Sequence, residues 1–170
     1  MAEQVARVAG GAYLVNSCEP GDLSEAERAA CVAMIETAGA VRRGSIAEEI
    51  AAAQLLSVVR SGGEIVGVGA IKRIRRPYAQ KIASRCGVSF PSETPELGYV
   101  AVDPKHRGNG LSHRLAKELV GKHSGPLFAT TSSDRMIGTL TDAGFKQKGH
   151  GWPGHQAQVS FWWKDGENRK

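Results

Sequence analysis

Cysteine is scarce in this 170-residue chain: Cys18, Cys31 and Cys86 are the whole complement, odd in number and widely spaced. That spacing makes neither a disulfide framework nor a C-x-x-C metal site, and Cys31 falls in an Ala-rich helical pattern with Met34 and Ile35, where packing is its default role. Long apolar runs are missing too. No stretch approaches the ~20 apolar residues of a membrane span, and the opening MAEQVARVAGG lacks the basic region and apolar run of a secretory leader. A cytoplasmic protein is expected. Aromatic residues are only 6% of the chain, too few to interleave its basic residues with the stacking series of a single-strand nucleic-acid binder. Both common phosphate-loop motifs are absent: Gly121-Lys122, the only Gly-Lys pair, is followed by His123, and after Gly108-x-Gly110 no third glycine stands at position 113. There is no internal repeat or low-complexity tract.

What is present suffices for one domain spanning 1–170: at 41% hydrophobic, the chain can bury a core. Val5 to Val15 reads as a first strand. Ser24 to Ala38 reads as an amphipathic helix with Ser24 and Glu27 in capping-box spacing, and Ile46 to Gln54 as a second helix. LLSVVRSGGEIVGVGAIK reads as two strands joined by a turn at Ser61-Gly62-Gly63-Glu64. The final KDGENRK, with residues 165–170 outside any strand, reads as a frayed tail.

The densest information lies in Glu96 to Lys122, ELGYVAVDPKHRGNGLSHRLAKELVGK. An apolar strand ends at Val102 or Asp103, because Pro104 removes a ladder donor and disfavours helix before it. Leu111, Leu115, Ala116, Leu119 and Val120 then recur at helical spacing, predicting a helix from near Gly110 to Gly121. Between them, glycines at 108 and 110 permit positive φ and close backbone approach, while the first N–H groups of the helix lack intrahelical partners. Unpaired donors at the positive end of a helix make a seat for phosphate, with Lys105, His106 and Arg107 adding cationic character. The other reading of an isolated G-x-G is an ordinary strand-turn-helix whose glycines merely close the turn.

Arg107-x-x-Gly110-x-Ser112, after an apolar strand and before a helix, resembles the acetyl-CoA loop of the GNAT superfamily of N-acetyltransferases, Arg/Gln-x-x-Gly-x-Gly/Ala, with serine departing from the last slot. Downstream, Pro126 to Thr131 fits the next strand, Ser132 or Ser133 an N-cap, Met136, Ile137, Leu140 and Ala143 a helix face, and Gly144-Phe145 the step into the last strands. The resemblance covers residues 55–164, leaving 1–54 as an N-terminal strand and acceptor-side helices. It implies an α/β (mixed α+β) fold: a central mixed, mostly antiparallel sheet of about six to seven strands flanked by about four helices. It implies acetyl-CoA as co-substrate and no metal. It also implies that Arg107, Gly108, Asn109, Gly110, Leu111 and Ser112 hold the CoA pyrophosphate through backbone N–H groups. The strand edge at Val100, Ala101 and Val102 would pair with the pantetheine arm, and Ser133 stands where relatives carry a CoA-contacting asparagine.

Acetylating an amine requires removing a proton held at a pKa near ~10, so a carboxylate is a useful base. Glu96 is the candidate, since ELGYVAV resembles the strand of the histone-acetyltransferase branch, whose base is the corresponding glutamate. Strand alternation puts Glu96, Gly98 and Val100 on one face unless a bulge intervenes, with Glu96 about 13 Å from Val100, so that a water or the amine itself must bridge. The alternative for Glu96 is a solvated carboxylate at a strand end. The family's oxyanion donor is a backbone N–H near Val100. Its general-acid tyrosine is replaced by Leu140, leaving water or a hydroxyl of Thr130, Thr131 or Ser133 to assist the thiolate.

Two clusters lie outside that pattern. Lys72 to Pro95 reads as a basic loop carrying Lys72, Arg73, Arg75, Arg76, Lys81 and Arg85, which holds much of the +5 net charge. It is either solvated surface or an attraction for a polyanionic or nucleic-acid acceptor. His150 to His155, across a Pro-Gly turn, offers two histidines without a third metal ligand, and the resemblance implies that this stretch lies between the last two strands, where the family's acceptor pocket closes, so a substrate-lining loop is expected there rather than a metal site. Phe161-Trp162-Trp163 reads as core and sheet surface, with a homodimer face as its functional alternative. The expected activity is direct acetyl transfer to a primary amine of a small molecule or protein. The alternatives are transfer to a nucleic-acid-linked amine and a CoA-binding regulatory module without turnover.

Overall fold

The computed structural model describes residues 4–8, 11–39, 45–155 and 157–167. Among the described residues, eight strands form one sheet: β1 (Gln4–Val8), β2 (Gly11–Cys18), β3 (Leu55–Ser61), β4 (Glu64–Lys72), β5 (Glu96–Val102), β6 (Leu127–Thr131), β7 (Lys146–Pro153) and β8 (Gln158–Lys164). Their order is β1-β2-β3-β4-β5-β6-β8-β7, and every neighbouring pair is antiparallel except β5 and β6. Five α-helices cover it: α1 (Glu25–Thr37), α2 (Ile46–Ala51), α3 (Arg76–Cys86), α4 (Leu111–Lys122) and α5 (Asp134–Asp142). The mixed, mostly antiparallel architecture is the expected one, with one more strand and one more helix than the upper expectation.

Local chemistry sets the boundaries. Ser24 caps α1 by accepting from the Glu27 N–H while the Glu27 carboxylate accepts from the Ser24 N–H, the reciprocal box that the spacing predicts. The β3–β4 hairpin turns through Gly62 and Gly63, whose φ values of 57° and 83° suit two consecutive left-handed residues. α5 starts on a Ser133 cap and is closed by Gly144 at φ 98°, as the sequence predicts.

Four expectations are corrected. The strand expected over Val5 to Val15 is two strands, β1 and β2, paired as a hairpin with Val8 opposite Gly11. The second helix stops at Ala51, short of Gln54, because the Gln54 N–H is taken by the Ile71 carbonyl of β4. The basic loop over Lys72 to Pro95 contains α3, whose proline in the first turn and Gly87 at φ 74° supply start and stop, and whose Ala79, Ile82 and Cys86 are buried. The tail is held at its start: the Glu167 N–H donates to the Ser124 carbonyl at 2.8 Å, while residues 168–170 lie outside the described ones.

The sheet separates two layers. On one face, α1 and α2 bury Cys31, Ile35, Ile46 and Ile50 with Leu56, Val68, Tyr99 and Ala101. Farther along that face, α3 packs Ile82 and Cys86 with Phe128, Trp152 and Phe161. On the other face, α4 and α5 bury Leu115, Ala116, Leu119 and Leu140 with Leu97, Val102, Leu127 and Trp162. Phe161 and Trp162 are therefore core, and Trp163 is half-buried against Phe90. No described helix is long and apolar enough to cross a membrane.

Candidate active site

The loop between β5 and α4 leaves backbone donors uncommitted at a helix start. Asp103 accepts from the Lys105 N–H and closes a short 3-10 turn at Pro104–His106, after which Gly108 and Gly110 take φ values of 83° and 69°. A Cβ at either glycine would meet nothing within 4 Å, so the backbone angle, not crowding, calls for glycine there. Gly110 is the N-cap of α4 and provides no side-chain cap, leaving the first-turn N–H groups, those of Leu111 and Ser112 among them, for a ligand. Arg107 is exposed, with its Nε donating to the Val102 carbonyl at 3.4 Å, while Leu111 is buried and anchors the helix start.

A strap from the other end of the sheet fixes this loop. The Tyr13 hydroxyl of β2 lies 2.9 Å from His106 Nδ1, and Asn109 Nδ2 donates both to that hydroxyl at 3.3 Å and to the His106 carbonyl at 3.0 Å. Asn109 is thus a brace within the loop. Tyr13 carries no motif in the sequence; its pairing with a loop 93 positions away is a product of strand order alone.

Strand β5 departs from simple alternation. Gly98 faces Ala70 and Ala101 faces Val68, so Tyr99 and Val100 together oppose Gly69 in a bulge, and Tyr99 takes φ 54°. The bulge corrects the expected face: Glu96 and Gly98 share theirs with Tyr99 and Ala101, whereas Val100 turns with Leu97 and Val102 toward α4. On its other edge β5 meets β6 only at Glu96 opposite Phe128, and the two parallel strands part beyond that point. The β5 edge at Val100 to Val102, just before the glycine loop, is therefore not paired with β6.

Glu96 is buried, at 3% exposure, which excludes the solvated strand-end carboxylate. Its Oε1 accepts from Lys72 Nζ at 2.7 Å and its Oε2 from the Tyr78 hydroxyl at 2.9 Å. Each oxygen keeps a further lone pair for an incoming donor. Lys72 lies across Gly98, whose missing side chain makes room for it, with its ammonium 4.2 Å from the Tyr99 ring centroid. Burial holds the Tyr78 phenol well above its ordinary pKa, the nearby Glu96 charge and hydrogen bond add to that, and Thr130 opposes it. Tyr78 is consequently a neutral donor across the working range.

Lys72 and Tyr78 were legible only as members of a basic segment. What brings them to Glu96 is the register, Lys72 opposite Glu96, and the formation of α3. Arg73, Arg75, Arg76, Lys81 and Arg85 are exposed, unlike Lys72. Leu140 is fully buried in the α4–α5 layer and supplies no acid. Of the hydroxyls that could replace it, Ser133 accepts from the Met136 N–H and Thr131 from the Ser133 N–H, both as parts of the α5 cap, while Thr130 is half-buried near Tyr78. His150 lies on β7 and His155 in the turn after it, both exposed. Among the described residues, no three His, Cys, Asp or Glu side chains gather as metal ligands.

Comparison with known proteins follows the same lines. Residues 23–145 match the sequence model described as the acetyltransferase (GNAT) family. No curated protein matches the sequence significantly. Among solved structures, Escherichia coli ElaA superimposes with a TM-score of 0.67 at 11% identity, covering 89% of this chain and 98% of its own. A GNAT-family acetyltransferase from Streptococcus agalactiae gives 0.67 at 15% identity, over 91% of this chain and 96% of that one. The yncA protein of Salmonella typhimurium, solved with its cofactor acetyl-CoA, gives 0.62 at 18% identity, over 93% and 96%. At these identities the likeness is one of fold.

Proposed function

Because the chain belongs to the acetyltransferase (GNAT) family, we propose that it takes acetyl-CoA and passes the acetyl group directly to a primary amine, with Glu96 as the base. The observation that carries this reading is the buried Glu96 carboxylate at the point where β5 and β6 part, on the strand that leads into the uncapped α4 terminus. Backbone N–H groups from Arg107 to Ser112 hold the pyrophosphate, and the free edge of β5 at Val100 to Val102 receives the pantetheine arm. A backbone N–H near Val100 meets the developing oxyanion. Ser133 contributes through the α5 start.

The amine loses its proton to Glu96, attacks the thioester carbonyl, and the CoA thiolate leaves. The bulge places Glu96 and Val100 on opposite faces, so the amine or an ordered water spans the strand edge between them. A thiol of pKa near ~8.5 leaves without full protonation, so a leucine at position 140 is compatible with turnover. The cytoplasm is the proposed location, supported by three free cysteines. The polyanionic acceptor draws support from the exposed cations of α3, but the groups beside Glu96 favour a small amine, because the Lys72 ammonium next to it is already paired.

Titration with acetyl-CoA followed by an amine, peptide and RNA panel tests the reading. Acetyl-CoA binds, Gly110→Asp weakens it, and an amine from the panel releases CoA thiol. Binding without thiol release from any acceptor would leave only a CoA-binding module.

A further inference from the structure

Between Pro104 and Gly110 only His106 and Asn109 are drawn in from solvent. Both side chains end on one atom, the Tyr13 hydroxyl of β2, which lies 2.9 Å from His106 Nδ1 and 3.3 Å from Asn109 Nδ2. Among the described residues, the other hydrogen bonds of this stretch run within residues 102–114. The Tyr13 ring is 8% exposed and belongs to the cluster that contains Val102 and Leu111, the last residue of β5 and the first of α4. It meets the His106 ring edge-on, with centroids 5.7 Å apart and planes at 85°. One tyrosine therefore stands beneath both ends of the loop and holds its middle.

The donors and acceptors of this knot fit together in one way. Asn109 Nδ2 only donates, and its second bond, to the His106 carbonyl at 3.0 Å, fixes the amide in that orientation. Every polar atom is paired when the hydroxyl accepts from Asn109 and donates to His106 Nδ1, which leaves the ring hydrogen on Nε2. From the outer side nothing braces the loop, since a Cβ at Gly108 or Gly110 would meet open space. An exposed loop with two glycines samples many shapes, and ordering it on binding subtracts from affinity. The Tyr13 hydroxyl supplies that order before the ligand arrives.

We propose that Tyr13 is a positioning residue for the cofactor: through His106 and Asn109 it presets the N–H groups of residues 107 to 112 for the CoA pyrophosphate, without itself touching CoA. This deepens the acetyl-transfer reading and rests on it. The test uses the full chain and Tyr13→Phe, which keeps the ring and deletes the hydroxyl. Acetyl-CoA affinity is measured by calorimetry. Acetyl transfer to an accepted amine is followed with acetyl-CoA and with acetyl-pantetheine, which carries the thioester but no pyrophosphate.

In Tyr13→Phe, Kd and KM for acetyl-CoA rise about tenfold, as the loss of a paired hydroxyl allows, while kcat at saturation and kcat/KM for acetyl-pantetheine stay within about twofold. Asn109→Ala cuts the same knot from the solvent side and leaves the core intact. It weakens acetyl-CoA in the same way, and the loss in the double variant falls short of the product of the single losses. If Tyr13→Phe does not fold, Asn109→Ala decides by the same comparison of the two thioesters. An unchanged acetyl-CoA affinity, an equal loss with acetyl-pantetheine, or single losses that multiply overturns the assignment. Unchanged affinity in a protein that transfers acetyl overturns this inference alone. A tenfold affinity loss in a protein that acetylates no amine overturns the transfer reading alone, and a wild type that does not bind acetyl-CoA overturns both.

Discussion

Glu96 and Lys72 are held together more closely than a surface pair would be, with side chains 4% and 14% exposed. Removing the cation leaves a buried carboxylate with only Tyr78 to answer it. Lys72→Met is therefore expected to destabilise the fold by about 3 kcal/mol, read from urea denaturation, because breaking one side of a buried pair costs more than the pair's net worth. A loss below ~1 kcal/mol would mean that water already reaches the carboxylate. Burial raises both Cys18 and Cys31 to about 11, with Asp22 adding to the first. At pH 8 a group titrating three units higher is ionised in about one molecule per thousand, so both residues alkylate slowly in the native protein and quickly once it is unfolded. Mass mapping after brief iodoacetamide treatment checks it.

At the scale of elements, the junction of α3 and β7 is the tightest place for a glycine. A Cβ on Gly149, at φ 67°, would overlap the Cys86 carbonyl and the Val88 side chain. Gly149→Ala is expected to cost about 2 kcal/mol or more, combining strain and overpacking, with loss of the α3–β7 contact visible as faster amide exchange in α3. α1 gives a pH-dependent case. The Ser24 N–H, first, and Arg60 lower the pKa of Glu27 in the folded state. A lowered carboxyl contributes stability above its unfolded pKa and loses it as pH falls through the folded value. Thermal melts of the wild type and Glu27→Gln thus differ at neutral pH and converge in acid. The elements also show what a sequence can disclose. The Glu96 strand, the glycine loop, α4 and the Ser133 cap were legible because each rests on residues adjacent in the chain. α3 was not, although Ala79, Ile82 and Cys86 between a proline and Gly87 carry a helical spacing, because six basic residues from Lys72 to Arg85 dominate the appearance of the stretch. The bulge at Tyr99 has no local signal either: it arises in pairing with Gly69 and decides which face Val100 takes.

For the whole molecule, strand order does the work that motifs cannot. It lays Tyr13 from β2 against His106 and Asn109, brings Lys72 opposite Glu96, and parts β5 from β6 beside the glycine loop. The glycine loop proposed for the cofactor was therefore readable as a contiguous motif. The surroundings of Glu96, drawn from β4, α3 and β5, exist only in the folded chain. Their charges are sorted by burial: the cations of α3 are exposed, whereas Lys72 is drawn in against the buried Glu96. In the proposed function this sheet couples acetyl-CoA at the 107–112 loop to an amine at Glu96. The most direct measurement is the rate at which acetylated amine and CoA thiol appear together, in the wild type and in Glu96→Gln. Equal amounts of both products are predicted, with the variant about 10²-fold or more slower while still binding acetyl-CoA. Thiol released without acetylated amine, or a Glu96→Gln variant that turns over at the wild-type rate, would contradict it.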